Sequence, residues 1–480
     1  MLNYSSAALL ATSTYLSSVV SMLLRNVIFA RILSPDSFSV ALTFGLVITL
    51  TEQFGVISHE LYMQRAKDGD ELSFQATLQT INLVRGLILS LTLLTFAPLL
   101  NDFFRIPSDL FDYRFLAVIP LINGLRHLDP QRLHRQNDFS KSARIGITAD
   151  LSSILVALLC ALIWQSHWAF FVSFLFRHTM STTLSHWWAT RPFQLGFDKP
   201  LAFRLLAYSL PLMIFAAMKY LGTELDKVLI ARFSGLAAFT LYFMSLMITA
   251  NAANIITLGL NKIFVRRISE AKQSELSYVA ASNGVIILYL SLPLLLSIIF
   301  FGESIIHLVF GSQYTPIQRL IPVVVCLVAV RQLSLWLNQL VVGRFETKLV
   351  LYAEMARIAL LLALLPWIVM QEHIILFVLG FVACEWSFVL FMSIKLAKHI
   401  KGIKHLTAKL SAIVFCYLAS FWALYEFTTE MTLLSKALLY VPTVSISLLL
   451  FYLKSITCRE QTHNFINWVT RKGQHINRKF

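Results

Sequence analysis

The sequence predicts an all-α protein that crosses a membrane many times, and three observations support this prediction. Apolar runs of about 20 residues, the length of a helix that spans a bilayer, recur along nearly the whole chain of 480 residues. Hydrophobic residues make up 57% of the chain and charged residues 14%, whereas a soluble globular protein has about 25% charged residues. The mean hydropathy is +0.70. This composition leaves no room for a sizeable soluble domain.

Fourteen apolar runs define the predicted membrane helices. Their approximate bounds are 6–31, 38–61, 78–99, 111–127, 144–164, 167–188, 205–232, 237–261, 281–301, 318–342, 349–370, 373–395, 406–427 and 432–453. Pro120 interrupts the fourth run. The first run lacks the basic n-region and the cleavage site of a signal peptide, so we expect it to be a mature helix.

Positive charge is concentrated in alternate loops. The loops that follow even-numbered helices are rich in Lys and Arg, and the loops that follow odd-numbered helices hold far fewer. The loop after the fourth helix, for example, holds Arg126, Arg132, Arg135, Lys141 and Arg144. By the positive-inside rule both termini are cytoplasmic. The formal net charge of +15 is therefore assigned to topology and to contact with anionic lipid, and no nucleic-acid partner is expected.

Residues 231–235 predict the end of a helix. The longer segment that contains them, 208–235, resembles the first apolar run when it is moved back by 201 positions. Residues 25–31 then lie on 226–232, and chance similarity between two apolar helices is the alternative. Because the offset covers six helices, the repeat predicts two parallel six-helix lobes, and transporters built from repeats bind substrate between them. The predicted divisions are an N-terminal lobe at 1–190, a cytoplasmic linker at 191–204, a C-terminal lobe at 205–400, two extra helices at 401–455 and a basic cytoplasmic tail at 456–480.

Three segments resemble those of a known family. The first is FARILSPDSF at 29–38, which is similar to the family's exit from the first helix, although Ser39 replaces the usual glycine. The second runs from Gln64 to Arg85-Gly86, and the third is the basic loop at 131–139. In these segments the chain resembles the polysaccharide transporters of the multidrug/oligosaccharidyl-lipid/polysaccharide exporter superfamily, and the Wzx-type oligosaccharide flippases above all.

The resemblance implies a fourteen-helix flippase of the bacterial inner membrane. Such a protein moves a polyprenyl-diphosphate-linked oligosaccharide from the cytoplasmic to the periplasmic leaflet, by alternating access of two lobes around a cationic cavity, for O-antigen, capsule or exopolysaccharide assembly. The implied partners are undecaprenyl-diphosphate-linked oligosaccharide, membrane lipids, and the polymerase and chain-length regulator of the same pathway. Some multidrug members bend the first helix at a proline, and the run 6–31 has none, so that motion is not expected here.

Cations inside the apolar runs are the candidate substrate-binding residues, because a guanidinium donates bidentately to phosphate oxygens and charge inside a bilayer is usually kept for a task. The candidates are Arg25, Lys219, Arg177, Arg331 and Arg85. Arg25 and Lys219 lie on the first and seventh helices, which the repeat pairs. For Arg177 and Arg331 the alternative is a structural ion pair, and for Arg25 it is a side chain that reaches to the headgroups.

Carboxylates inside the apolar runs are candidates for ion coupling or for balancing the charge of these cations. The candidates among the carboxylates in these runs are Glu52, Asp150 and Asp226. A carboxyl group in a low-dielectric site has a raised pKa and exchanges a proton nearer neutral pH, which suits a coupling role. Glu354 and Arg357 lie three positions apart on one helix, so a local ion pair is expected there.

Two other functions are open on the sequence. A cation-coupled multidrug exporter of the same superfamily would favour an acidic cavity and usually twelve helices. A membrane glycosyltransferase or O-antigen ligase would need a large periplasmic loop, and the outer loops near 100–110 and 302–317 are short.

Neither an enzyme nor a bound cofactor is expected. The chain has no Walker lysine motif, no glycine-rich dinucleotide loop and no soluble domain with a Ser-His-Asp constellation. The five cysteines form no close pair, and His178 and His186 are eight positions apart, so no metal site is predicted.

Overall fold

A computed structural model describes residues 4–54, 59–345, 348–370, 373–428 and residue 440. All regular secondary structure in these residues is helical, which confirms the predicted all-α class. The α-helices are α1 (Tyr4–Ile32), α2 (Pro35–Phe54), α3 (His59–Arg65), α4 (Leu72–Phe104), α5 (Val118–Gly124), α6 (Asp129–Arg132), α7 (Ser140–Trp164), α8 (His167–Trp187), α9 (Lys199–Phe233), α10 (Leu236–Glu270), α11 (Leu276–Val309), α12 (Ile321–Arg344), α13 (Lys348–Val369), α14 (Ile374–Leu396) and α15 (Ile403–Thr428). Short 3-10 helices occupy Tyr113–Ala117, Leu133–Gln136 and Ser312–Arg319.

The predicted apolar runs correspond to these helices in order. The second run is divided between α2 and α3, and the fourteenth, 432–453, lies outside the described residues apart from residue 440. Eight helices of the described chain are long and apolar enough to cross a membrane, so the protein is a multi-pass membrane protein. These helices are α4, α7, α9, the first part of α10 (Leu236–Thr257), α11, α12, α13 and α14.

The fourth predicted helix is the one that differs in form. In place of one helix over 111–127, the chain forms a 3-10 helix, Tyr113–Ala117, followed by the seven-residue α5. Pro120 lies in the first turn of α5, where its missing N–H removes no hydrogen bond that an α-helix could make. An α-helix that continued backwards from Pro120 would lack this donor, which explains why the regular helix begins at Val118.

Local signals fix the ends of the helices. Ser34 accepts a hydrogen bond from the backbone N–H of Ser37 at 3.3 Å, and Pro35 is the first residue of α2, so the pair starts this helix. Asp198 caps α9 by accepting from the N–H of Leu201 at 3.0 Å. The exit predicted at 231–235 is confirmed, because α9 ends at Phe233 and Gly235 has a φ of +89°, a conformation that favours glycine.

The described residues divide into two compact units. Unit 1 comprises those within Met1–Thr240 and Val309–Gln313, and unit 2 those within Leu241–Leu308 and Tyr314–Phe480. Unit 1 includes α9 because this helix packs against α2, α3 and α4. The six-helix lobes and their bounds stay a prediction from the sequence repeat.

In unit 1, α7 packs against both α1 and α8, and α4 packs against α5. An aromatic core joins α2 to the segment before α5: the rings of Phe44 and Phe111 stack with centroids 4.1 Å apart, and Tyr113 hydrogen-bonds Thr43 at 2.5 Å. In unit 2, α12 packs against α13, α14 and α15. The indole of Trp336 in α12 donates to the carbonyl of Ala280 in α11 at 2.9 Å.

Candidate functional site

Asp150 is the centre of a polar cluster inside unit 1. It lies in α7, and its side chain is 1% exposed. The Nε of Arg177 in α8 donates to one carboxylate oxygen at 2.6 Å, and the hydroxyl of Ser18 in α1 donates to the other at 2.6 Å. A buried carboxylate is stable only when charges and hydrogen bonds compensate its lost hydration. The close packing of α1, α7 and α8 brings these partners together.

Arg25 lies beside this pair and is half-buried. It is seven positions after Ser18 on α1, and its Nη1 donates to the hydroxyl of Ser153 at 3.0 Å. Ser153 in turn donates to the carbonyl of Asp150 at 2.7 Å. No carboxylate of the described residues forms an ion pair with Arg25, so two guanidinium groups share the neighbourhood of one carboxylate.

A second chain of contacts begins next to Arg177. His178 Nδ1 hydrogen-bonds the side-chain oxygen of Asn123 at 2.9 Å, and the amide of Asn123 donates to Glu52 at 3.0 Å. Glu52 forms an ion pair with Arg85. These contacts join α8, α5, α2 and α4, and the Nε2 of His178 is buried with no hydrogen-bond partner among the described residues.

The candidates predicted on α9 lie outside this network. Lys219 is exposed, and its ammonium forms no hydrogen bond or ion pair within the part of the chain that the structure describes. Asp226 is 4% exposed and accepts from the backbone N–H of Lys227 at 2.8 Å. Lys227 pairs with Glu224 one turn earlier. The structure therefore places Arg25, Arg177 and Asp150 in one group and Glu52 and Arg85 in a second, which the adjacent residues Arg177 and His178 connect along α8. Lys219 has no partner among the described residues.

The remaining predicted cation, Arg331, belongs to an ion-pair network in unit 2. Its Nε donates to Glu385 at 3.0 Å, and Arg357 donates to the same carboxylate oxygen at 2.7 Å. The predicted local pair of Glu354 with Arg357 is confirmed. Ser334 donates to the second oxygen of Glu385 at 3.0 Å. Two guanidiniums thus face two carboxylates, and the network joins α12, α13 and α14.

The Arg-Gly pair of the second family-like segment has a steric reason. A Cβ on Gly86 would lie 2.6 Å from the carbonyl oxygen of Pro120 and 2.8 Å from the Cα of Gly124, so only glycine lets α4 and α5 approach this closely. The approach places Asn123 beside Glu52 and thereby beside the ion pair of Arg85.

The basic loop of the third segment holds the neighbouring elements in place. Arg132 binds Asp129 at 2.8 Å and Asp70 at 2.6 Å. Arg135 donates to the carbonyls of Met63 and Ala66 at the end of α3. The hydrogen bond from Arg132 is the main cause that lowers the pKa of Asp70 below its ordinary value.

Asp129 is fully buried in the same loop. Burial would raise its pKa, but three hydrogen bonds outweigh burial and hold the pKa below the ordinary value. They come from the backbone N–H of Thr190 at 2.7 Å, the hydroxyl of Thr190 at 2.8 Å and the Nε of Arg132 at 2.8 Å. The basic residues of this loop therefore act in structure, and their charges are largely matched by carboxylates and carbonyls.

Arg31 and Arg232, which the predicted repeat aligns, make similar contacts. The Nε of Arg31 donates to the carbonyl of Val309 at the end of α11, at 2.9 Å. Arg232, which is 201 positions later, donates to the carbonyl oxygens of Asp102 and Phe103 near the end of α4 at 3.0 and 2.9 Å. Both arginines thus bind the carbonyls at a helix C-terminus, where positive charge is favourable.

Sequence reasoning missed three uncharged members of the cluster, Ser18, Ser153 and Asn123, and gave His178 only a general place in a cavity or an interface. No pattern in the chain distinguishes these serines and this asparagine from other polar residues of apolar helices. Two adjacent polar residues in a long apolar run, Arg177 and His178, were the available signal.

The comparisons with known proteins agree with this arrangement of helices. The family described as "Polysaccharide biosynthesis protein" matches residues 28–319. The solved structure described as "Lipid II flippase MurJ, inward closed conformation" is 15% identical, with a TM-score of 0.69 over 94% of this chain and 100% of that chain. An inward-facing multidrug resistance MATE family transporter of the MOP superfamily is 12% identical, with a TM-score of 0.60 over 82% of this chain and 96% of that chain.

A MOP superfamily transporter from Pyrococcus furiosus is 13% identical, with a TM-score of 0.50 over 82% of this chain and 96% of that chain. At such identities the likeness to solved structures concerns the fold alone. No curated protein sequence matches the chain.

Proposed function

Because the chain belongs to the polysaccharide biosynthesis protein family, we propose that it is a flippase that moves a polyprenyl-diphosphate-linked oligosaccharide across the bacterial inner membrane. The proposed direction is from the cytoplasmic to the periplasmic leaflet, with both termini in the cytoplasm. The structural neighbour MurJ is described as a flippase for lipid II, and the shared fold supports a transport mechanism of this kind.

The observation that carries the proposal is the excess of positive charge within the apolar helices of unit 1. The linked groups contain three guanidiniums, those of Arg25, Arg85 and Arg177, against the carboxylates of Glu52 and Asp150. On α9, Lys219 adds a cation without a partner among the described residues and Asp226 adds a buried carboxylate, so these seven groups together carry one net positive charge. Unpaired cations in a membrane are costly, and an anionic substrate is the natural compensation for them. A diphosphate has the required charge and acceptor oxygens.

The hydrogen bonds of the cations support different proposed roles for them. The Nε of Arg177 is taken by Asp150, so Arg177 anchors the cluster and offers its remaining donors. Arg25 donates one N–H to Ser153, and its other N–H groups have no partner among the described residues. We therefore propose Arg25 as the better diphosphate ligand. Lys219 is the second proposed ligand. Asp150 and Glu52 balance charge in these ion pairs, and a coupling role for either would require its arginine to move away.

The test is a leaflet assay in a strain that lacks this gene. Polyprenyl-diphosphate-linked glycan is modified from the periplasm by a membrane-impermeant sugar-modifying enzyme, and the protected fraction is measured. We expect intact repeat units to accumulate on the cytoplasmic side, and the wild-type gene to restore their delivery. Units that reach the periplasm normally without the gene would refute the flippase function and point to polymerisation or ligation.

Two variants on α9 sharpen this test. Lys219→Gln removes the cation that has no partner in the described part of the chain, and it should leave the glycan on the cytoplasmic side. Lys227→Gln removes a cation of the same type that is already neutralised by Glu224, and export should continue. Equal export by both variants, at equal membrane abundance, would exclude Lys219 from the substrate site.

A further inference from the structure

A cavity of about 420 Å³ lies where the end of α3, the turn into α4 and the first turns of α9 meet. It is separate from the charged cluster described above, and we refer to it as the basic pocket. Its lining residues are Tyr62, Arg65, Ala66, Lys67, Asp68, Arg204 and Tyr208.

The basic pocket has an excess of positive charge. Three cations face a single carboxylate, and that carboxylate, Asp68, is paired with Arg204 at 3.0 Å. Arg65 makes one long hydrogen bond, at 3.4 Å, to the hydroxyl of Tyr208. Lys67 is exposed and has no partner within the described residues. The donors of Arg65 and Lys67 are therefore available to an anion.

The base of the pocket is closely packed. Tyr62 stacks on Phe74 with ring centroids 5.8 Å apart and contacts the ring of Tyr208 at 5.1 Å. Beneath them lies an apolar cluster whose members are at most 2% exposed: Met63, Phe74, Leu78, Leu128, Leu201 and Leu205. Arg135 fixes the end of α3 through the carbonyls of Met63 and Ala66. A pocket whose walls are ordered in advance loses less entropy when a ligand binds.

The surroundings of the pocket point to a lipid as the source of the anion. Phe203, Leu206 and Leu210, on the same stretch of α9, are 64%, 47% and 58% exposed, as expected of side chains that face acyl chains. Arg65, Lys67 and Arg204 come after the second and sixth predicted membrane spans, and the positive-inside rule assigns these positions to the cytoplasmic side. Basic pockets of this kind on the cytoplasmic side bind anionic headgroups.

We propose that the basic pocket binds the phosphate of a membrane lipid headgroup on the cytoplasmic side, while the hydrocarbon chain of that lipid lies along α9. Arg65 and Lys67 are the phosphate ligands. Asp68 limits affinity, because it holds Arg204 and repels an anion. Two lipids have this chemistry. One is the diphosphate-linked carrier, which would bind here before translocation. This choice rests on the proposed function. The other is a resident anionic phospholipid, which does not depend on that function.

Lipid binding to the purified full-length protein in detergent micelles tests the pocket directly. Native mass spectrometry follows titrations with undecaprenyl diphosphate, with phosphatidylglycerol and with phosphatidylcholine as the zwitterionic reference. The double variant Arg65→Gln/Lys67→Gln should weaken binding of the anionic lipids by about tenfold or more, since each lost contact is a charge-assisted hydrogen bond. Arg266→Gln, an exposed cation paired with Glu270, is the matched control and should bind like the wild type.

Asp68→Asn provides a test of opposite sign, because it should tighten binding of the anionic lipids, a result that damage to the fold cannot imitate. Tighter binding of undecaprenyl diphosphate than of phosphatidylglycerol would identify the carrier as the ligand, and the reverse order a resident phospholipid. The proposal is overturned if the double variant binds both anionic lipids like the wild type, or if the wild type prefers neither of them to phosphatidylcholine. This binding assay needs no transport, so its failure is distinct from a failure of the leaflet assay.

Discussion

The ion pair between Arg177 and Asp150 yields a quantitative prediction about stability. At a charge separation of about 4 Å and an effective dielectric constant of about 20, the attraction is about 4 kcal/mol. Arg177 is 28% exposed while Asp150 is 1% exposed, so solvent screens part of this attraction. We therefore expect a coupling free energy of about 2 kcal/mol between the two side chains. Arg177→Gln alone leaves a buried carboxylate without its cation. It should lower the free energy of unfolding by about 3 kcal/mol, the lower end of the range for a broken buried ion pair.

The assay is reversible unfolding in mixed micelles that contain sodium dodecyl sulfate. The free energy of unfolding is measured for Arg177→Gln, for Asp150→Asn and for the double variant. We expect the double variant to lose about 2 kcal/mol less than the sum of the single losses. Arg331→Gln combined with Asp150→Asn is the control and should be additive, because Arg331 pairs with Glu385 instead. Additivity to within about 0.5 kcal/mol for the first pair would refute the assigned contact.

Two further predictions concern packing and pH. Gly86→Ala should lower the free energy of unfolding by about 1–3 kcal/mol, because its Cβ would press on backbone atoms. Gly45→Ala, where a Cβ meets nothing within 4 Å, should raise the free energy of unfolding by up to about 1 kcal/mol. Equal effects of the two substitutions would contradict the close approach of α4 and α5 at Gly86. The lowered pKa of Asp129 means that its contacts with Thr190 and Arg132 stabilise the protein fully above about pH 4 and are lost as pH falls through that lowered pKa. The Asp129→Asn variant should therefore be less stable than the wild type at pH 6 but lose less stability than the wild type between pH 5 and pH 3. If the free energy of unfolding of both proteins depends on pH in the same way, this role of Asp129 is excluded.

The helices were predictable because their signals are local. The bilayer sets the length of an apolar run, and the runs observed in the sequence correspond to helices throughout the described residues. The exit at 231–235 and the pair of Glu354 with Arg357 were predicted for the same reason, since each depends on residues within one turn. The fourth element shows the limit of such signals, because a proline in the middle of an apolar run fits both a broken helix and a short one that begins just before it.

The partners of the charged residues were not predictable to the same degree. The sequence placed Arg25, Arg177, Asp150 and Arg331 inside apolar runs and left an ion pair open for Arg177 and Arg331. Arg177 and Asp150 are 27 positions apart, and Arg331 and Glu385 are 54 apart, so no helical period relates them. Only the packing of α7 on α8, and of α12 on α14, decides which carboxylate each arginine meets. The link through Asn123 also depends on the close approach at Gly86.

The sequence by itself determined that this is a helical membrane protein, approximately where its helices lie, which family its segments resemble and which charged residues are expensive to hold in a bilayer. These properties follow from the hydropathy of each run, the spacing of its residues and the caps of its helix, all of which depend on nearby residues. The tertiary structure alone decided that Arg85, Arg177 and Arg331 are paired, that Lys219 has no partner among the described residues, and that three separate segments enclose the basic pocket. Those outcomes depend on distances between helices far apart in the chain, where burial makes each unmatched charge costly and packing selects the partner.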